Sequence, residues 1–318
     1  MFKAFYDKNK RFKFIHNELS KNKLITYKGK EKLRKTGCFY GDKFNFYIDT
    51  SDGVNEDLKI YEYCGRIMEI VEECKGKPFL FFKAAYSPVW SRNIIKIASE
   101  NNGKVIPFFK WSFNDNFYKY LIPKRKSLTN LKNKCEKEFD VGFAANLKSY
   151  DYPKPNKENP LVCWDNYKSF GLKANENTES TGFYTISTRQ NMYNLLASSR
   201  FSFYHTEKID YKQYIEKSFT WRVCLNPSGM GEYTSRMFDH TYLGQCVVLR
   251  KTSYDFGNSW KEYLPEIDFE SPTWEDDLQN ILDTHAEWSE KGLEYFEKCW
   301  SAKAIAAFLF RQIEEFNY

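Results

Sequence analysis

Residues 221–249 read Trp221-Arg222-Val223-Cys224-Leu225-Asn226-Pro227-Ser228-Gly229-Met230-Gly231-Glu232-Tyr233-Thr234-Ser235-Arg236-Met237-Phe238-Asp239-His240-Thr241-Tyr242-Leu243-Gly244-Gln245-Cys246-Val247-Val248-Leu249. The stretch is a strand over 220–225, a glycine-bearing loop, a helix, a glycine stop at Gly244 and a second strand over 246–249. Such a loop leaves the carboxyl end of a strand, where open α/β sheets bind ligands. Gly229 and Gly231 permit close backbone approach. Thr234 and Ser235 stand near the helix start, whose free N–H groups favour an anion. Arg236, Asp239 and His240 fall at i, i+3 and i+4 on one helix face. A guanidinium beside a helix start suits a diphosphate, and a carboxylate one turn later could accept two hydrogen bonds from a ribose diol. The same spacing also fits a plain βα turn at Ser228 and Gly229, with Arg236 and Asp239 paired on a surface. It is neither the G-x-G-x-x-G fingerprint nor a P-loop, because no G-K-[ST] follows.

Upstream, Phe139–Ala145 opens this unit as a strand and a small-residue turn. Helices are expected over 191–199 and 211–217, and a strand over 201–204. Pro153, Pro155 and Pro160 mark a loop after Tyr150, and 161–164 is a strand candidate. Upstream, strand 44–48, helix 58–74, strand 78–82, helix 91–101 and strand 104–108 form a βαβαβ series. Lys- and Asn-rich residues 121–138, with Pro123, carry no sustained apolar run until Phe139, so the domain boundary falls there. The expected units are 1–135 and 136–318, the second ending in helices over 274–288, 292–300 and 302–316. The fold class is α/β, with two doubly wound sheets.

Composition narrows the function classes. The chain has 318 residues, 42% hydrophobic and 28% charged, enough for two cores and against wholesale disorder. Aromatic residues reach 19%, so the cores are aromatic-heavy. A net charge of +6 is mild at this length and argues against general nucleic-acid binding. The densest basic run, Lys124, Arg125 and Lys126 with Lys132, Lys134 and Lys137, fits a solvated linker or helix face better than a polyanion patch. The eight cysteines form no Cys-x-x-Cys pair and no zinc-spaced cluster. They read as reduced, buried residues of a cytoplasmic protein. The first residues lack the apolar core of a signal peptide, and no stretch approaches the ~18 apolar residues of a membrane helix.

Residues 221–249 resemble the donor-binding segment of GT-B glycosyltransferases, particularly the exostosin-like group. The resemblance rests on Pro227 and Gly229, Ser235 and Arg236, Phe238 and Asp239, then Gly244 and Val247-Val248. It extends to Phe139–Asn146 and 211–225, about 110 residues in all, with no match in the first half. The compact size and the Lys/Asn/Phe/Tyr bias also resemble glycosyltransferases of large DNA viruses, the chlorovirus type. The resemblance implies a GT-B-like fold in which an N-terminal acceptor-binding domain and a C-terminal donor-binding domain face a cleft. It implies transfer of a hexosyl or pentosyl group from a UDP- or GDP-sugar, UDP-xylose included, to a glycan or glycoprotein hydroxyl. Ser228, Gly229, Gly231, Glu232, Thr234, Ser235, Arg236, Asp239 and His205 would hold the donor. Two departures stand out. Asp239 occupies a position where Glu is more usual, and His240 stands eight residues after Glu232, so the E-x₇-E of many retaining enzymes is missing. Inversion is favoured.

Inversion needs a general base on the acceptor side. Asp52 and Asp49, beside the turn after strand 44–48, are the candidates, although Asp52 before Gly53 also fits a turn former. Tyr86, Trp90 and Arg92 could line the acceptor site, with core packing of Trp90 as the alternative. His205 follows strand 201–204 and reads as a donor contact or a satisfied structural His. His16 and His285 read as surface residues. No D-x-D has strand-end context, so no metal or cofactor is expected. The competing class is a noncatalytic carbohydrate- or nucleotide-binding module of the same fold. A phosphotransferase is more distant, given the absent P-loop.

Overall fold

The computed structural model describes residues 1–8, 12–30, 32–33, 36–49, 66–84, 86, 91–108, 116–145, 147, 181–207, 209–227, 235–251 and 259–316, leaving aside the side chains of 181–188 and 235. The described residues form two sheets. The first contains β1 (Phe2–Phe5), β2 (Ile25–Gly29), β3 (Thr36–Tyr40), β4 (Asn45–Asp49), β5 (Phe79–Ala84) and β6 (Gly103–Phe108), in the order β2-β1-β3-β4-β5-β6. β4, β5 and β6 are parallel, and β3 runs antiparallel to both β1 and β4. The second contains β7 (Phe139–Ala144), β8 (Phe203–Thr206), β9 (Trp221–Asn226), β10 (Cys246–Arg250) and β11 (Glu266–Ile267), in the order β11-β10-β9-β7-β8. All of its pairings are parallel. The expected α/β class with two doubly wound sheets is what the chain adopts.

Alternation along the strands explains why both faces of each sheet are covered. In the first sheet Phe46, Ile48, Leu80 and Phe82 join the core with Ile15 and Leu19 of the Lys13–Lys21 helix. Tyr47, Phe79 and Phe81 point the other way, onto Ile67 and Ile70 of helix 66–74 and Ile94 of the Arg92–Glu100 helix. In the second sheet Val141, Val223, Leu225 and Val248 pack on the Thr181–Ala197 and Trp274–Asp283 helices. Cys224, Val247 and Leu249 face the Tyr211–Ser218 and Ser235–Tyr242 helices. That last core is continuous with the first sheet. The C-terminal helix Ala302–Phe316 crosses back to it, placing Phe308 5.9 Å from Phe108 and Phe316 5.0 Å from Phe44 between ring centroids.

Several local expectations change. Residues 121–134 are helical: a π-helical turn over Phe117–Leu121 runs into a helix over Ile122–Lys134. Pro123 lies in the first α-helical turn, directly after the π-helical one. The basic run is partly spent on carbonyls: Lys132 Nζ donates to Gly244 O and Lys137 Nζ to Phe219 O, both at 2.7 Å. Gly244, at φ +64°, ends the Ser235–Tyr242 helix in the left-handed region that glycine adopts without penalty. The expected helix 274–288 breaks at Thr284, where the hydroxyl takes the Asn280 carbonyl, and resumes over His285–Tyr295. His16 and His285 are half-buried rather than surface residues, bonded to Tyr6 Oη (2.7 Å) and Leu282 O (2.8 Å). The 161–164 strand candidate lies outside the described residues. No described helix is long and apolar enough to cross a membrane.

Candidate functional site

In the second sheet the chain begins at β7, steps to β8 on one side, then returns past β7 to β9 on the other. That reversal opens a crevice outside the carboxyl ends of β7 and β9, where such sheets receive ligands. The carboxyl end of β7 is Ala144-Ala145 and that of β9 is Asn226-Pro227. Side chains from two further elements converge on the first of these ends. Arg236, on the first turn of the Ser235–Tyr242 helix, donates through Nη1 to Ala144 O. His205 donates through Nε2 to Ala145 O at 2.9 Å. His205 stands inside β8, opposite Phe143, rather than beyond a strand ending at Tyr204, and its ring packs on Phe143 and Tyr193.

Asp239 and His240 are both buried, at 1% and 3% exposure, which rules out a surface pairing of Arg236 with Asp239. His240 is fully committed: Nε2 pairs with Tyr214 Oη and Nδ1 with Gln245 Oε1 at 2.8 Å. Burial pushes its pKa down to about 4, so the ring is neutral at pH 7. Asp239 differs. Neither carboxylate oxygen has a hydrogen-bond partner, and the buried hydroxyl of Tyr211 lacks one too. Burial raises the Asp239 pKa to about 8, against the weaker pull of the Tyr211 hydroxyl and the Arg236 guanidinium. Tyr211 stands close enough to favour the anion but out of hydrogen-bonding geometry. Sequence reasoning passed over Tyr211. It opens the helix after β8, capped by Asp210, whose carboxylate accepts from the N–H groups of Lys212 and Gln213.

These two shifts have opposite effects on stability. Native Asp239 keeps its proton up to about pH 8, whereas an unfolded Asp loses it near 3.8, so stability falls as pH rises between those values. Native His240 refuses a proton until about pH 4, whereas an unfolded His takes one below 6.5, so stability falls as pH drops through that range. The slopes cancel between about pH 4 and 6.5, leaving Asp239 alone from 6.5 to 8. At about 1.4 kcal/mol per pH unit, stability should fall by about 2 kcal/mol across that window. Urea unfolding at pH 6.5 and 8 measures it, and Asp239→Asn should flatten the difference; an unchanged slope in that variant would assign it to other groups.

Ser228, Gly229, Gly231, Glu232 and Thr234 lie outside the described residues, as do Asp52 and Trp90. Ser235 is described only as the first residue of its helix. On the first sheet, Asp49 ends β4, 4% exposed and opposite Thr36 of β3. Tyr86 follows β5 half-buried, and Arg92 is exposed at the start of its helix. Asp49, Tyr86 and Arg92 therefore share the carboxyl edge of β4 and β5. Beside them, the fully buried Lys83 donates to Ala84 O, and Arg66 donates to Thr36 Oγ1 at 2.9 Å. Among the described residues, no three His, Cys, Asp or Glu side chains gather as metal ligands.

The chain is similar in structure to a sucrose-phosphate synthase from Thermosynechococcus elongatus. The TM-score is 0.43 and the identity 12%, over 85% of this chain and 68% of that one. No family model matches the sequence, and no curated protein does.

Proposed function

We propose that the protein is a glycosyltransferase of the GT-B plan, inverting and metal-independent, which moves a sugar from a UDP- or GDP-sugar to a glycan hydroxyl. The observation that carries this reading is the Asp239 carboxyl, buried and without a partner, one turn along the helix from Arg236 at the β7/β9 crevice. A ligand that brings both an anion and hydroxyl groups suits that pair, and a nucleotide-sugar brings both. Arg236 keeps further N–H donors beyond the one given to Ala144. Together with the amides at the start of its helix, they would hold the diphosphate. Asp239 would meet the ribose. An acceptor oxygen then bonds to the anomeric carbon while the bond from that carbon to the diphosphate breaks. The nucleoside diphosphate leaves with the electron pair, and a carboxylate of the first unit takes the acceptor's proton. Metal independence rests on the missing D-x-D and on this basic phosphate site.

Calorimetry with UDP, GDP, ADP and CMP tests the reading. One of them should bind, and Arg236→Ala should weaken that binding by about 1.5–3 kcal/mol, the worth of a hydrogen bond to a charged group. Unchanged affinity in the variant would move the diphosphate elsewhere.

A further inference from the structure

Around the β7/β9 crevice most polar side chains are already engaged. Arg236 and His205 are on the carbonyls of Ala144 and Ala145, while Tyr214, His240 and Gln245 are joined in one chain of hydrogen bonds. Asp239 and Tyr211 are not. Neither oxygen of Asp239 has a partner, nor does the Tyr211 hydroxyl, and all three atoms are buried. The two residues come from different helices, one following β8 and the other β9, so both sit at the carboxyl edge of the sheet.

A dry carboxylate with no hydrogen bond is the least favourable state available to Asp239, and gaining a proton relieves it. Its titratable neighbours do not reverse that. From the Tyr211–Ser218 helix come Tyr211 and Tyr214, neutral phenols whose pKa values burial raises further. From β9 comes Cys224, a thiol pushed up to about 12. On its own helix His240 is neutral, and Arg236 is the one cation, already donating to a carbonyl. Tyr120, stacked edge-on to Tyr211, is tied to Glu216. The C-terminal helices meet the Ser235–Tyr242 helix through the aromatic contacts Phe238–Trp300 and Tyr242–Phe296. A bound diphosphate adds negative charge and disfavours ionisation further.

We propose that Asp239 serves this site as an un-ionised carboxyl, an O–H donor set beside the Tyr211 hydroxyl, and that anionic ligands bind only to that protonated form. The proposal rests on the nucleotide-sugar reading of the same crevice and assigns its pH dependence. A protonated Asp239 meets a ribose diol as one donor and one acceptor, and it does not repel the adjacent diphosphate. Burial holds the carboxyl near a pKa of about 8. Below that pH the competent form dominates, and above it the competent fraction falls tenfold per unit, with apparent affinity following.

The test is the Kd of UDP by calorimetry at pH 7, 8 and 9. In the unsubstituted protein Kd should rise about tenfold from pH 7 to 9. Asp239→Asn cannot ionise, so its Kd should not rise, and at pH 9 it should bind UDP about tenfold more tightly than the unsubstituted protein. Tyr211→Phe should move the midpoint upward, because its hydroxyl favours the anion; a merely structural tyrosine would leave the midpoint in place. A flat Kd in the unsubstituted protein overturns the proposal. So does an Asp239→Asn variant that binds more weakly at pH 9, because that marks the carboxylate as the binding form. If no nucleotide binds at pH 7, the nucleotide-sugar reading itself falls. Carboxyl ¹³C titration of the free protein then decides on its own: a midpoint near 8 for Asp239 upholds the un-ionised acid, and one below about 5 removes it.

Discussion

Gly142→Ala should destabilise the protein by about 3 kcal/mol, at the upper end of the cost of overpacking a core. A Cβ on Gly142 would stand 1.8 Å from Trp221 Cδ2 and 2.3 Å from two further atoms of the indole. The ring cannot retreat. Trp221 is 1% exposed, stacked on Tyr204 at 5.6 Å and bounded by Tyr214 at 5.9 Å and His240 at 6.3 Å. β7 cannot move away either, because Gly142 is paired in register with Cys224 on one side and Tyr204 on the other. A double-mutant cycle isolates the contact: Trp221→Leu costs stability alone, yet it makes room for the methyl group, so the two losses should add to less than their sum. Strict additivity in urea unfolding would show that the clash is relieved elsewhere. The site is exposed to the same damage. Ala144, whose carbonyl anchors Arg236, is two residues along β7, so Gly142→Ala should also loosen nucleotide binding.

The reach of sequence reasoning differs between the two sheets for physical reasons. β9, its following helix and β10 were legible because each apolar run is bounded by a residue that stops it: Asn226-Pro227 after the strand and Gly244 after the helix. β1, β2 and β3 were missed. Phe2–Phe5 is four residues long with a buried-exposed-buried pattern, too short for a period to declare itself. Residues 121–138 read as a domain boundary because the helix over Ile122–Lys134 buries Leu128 and little else, so no apolar period marks it. Spacing along one helix did bring Arg236 and Asp239 together. It could not reveal that Tyr211, on another helix, shares the buried end of Asp239, nor that His240 is consumed by Tyr214 and Gln245. Those are tertiary facts, set by how two helices pack on one face of the sheet.

Asp52→Asn should leave donor affinity near the parental value and lower the rate of sugar transfer by about 10²–10⁴, the usual worth of a general base. The base touches the acceptor's proton and not the diphosphate, so a loss confined to kcat separates it from Arg236, whose removal is read in Kd. Asn keeps the shape of Asp and can still hydrogen-bond, but it cannot take up the proton. Asp49 is the competitor, and its setting differs. It ends β4 at 4% exposure, level with Thr36 across the antiparallel pair. A carboxylate that deep is part of the packing, so Asp49→Asn should lower stability as well as rate, and the two losses can be read side by side in urea unfolding and in transfer assays. A rate collapse in Asp52→Asn at unchanged stability assigns the base to Asp52. The same collapse in Asp49→Asn, with stability intact, assigns it to Asp49. Parental rates in both variants would place the base on another residue, and a parent that binds nucleotide-sugar yet transfers nothing would mark the protein as a binding module of the same fold.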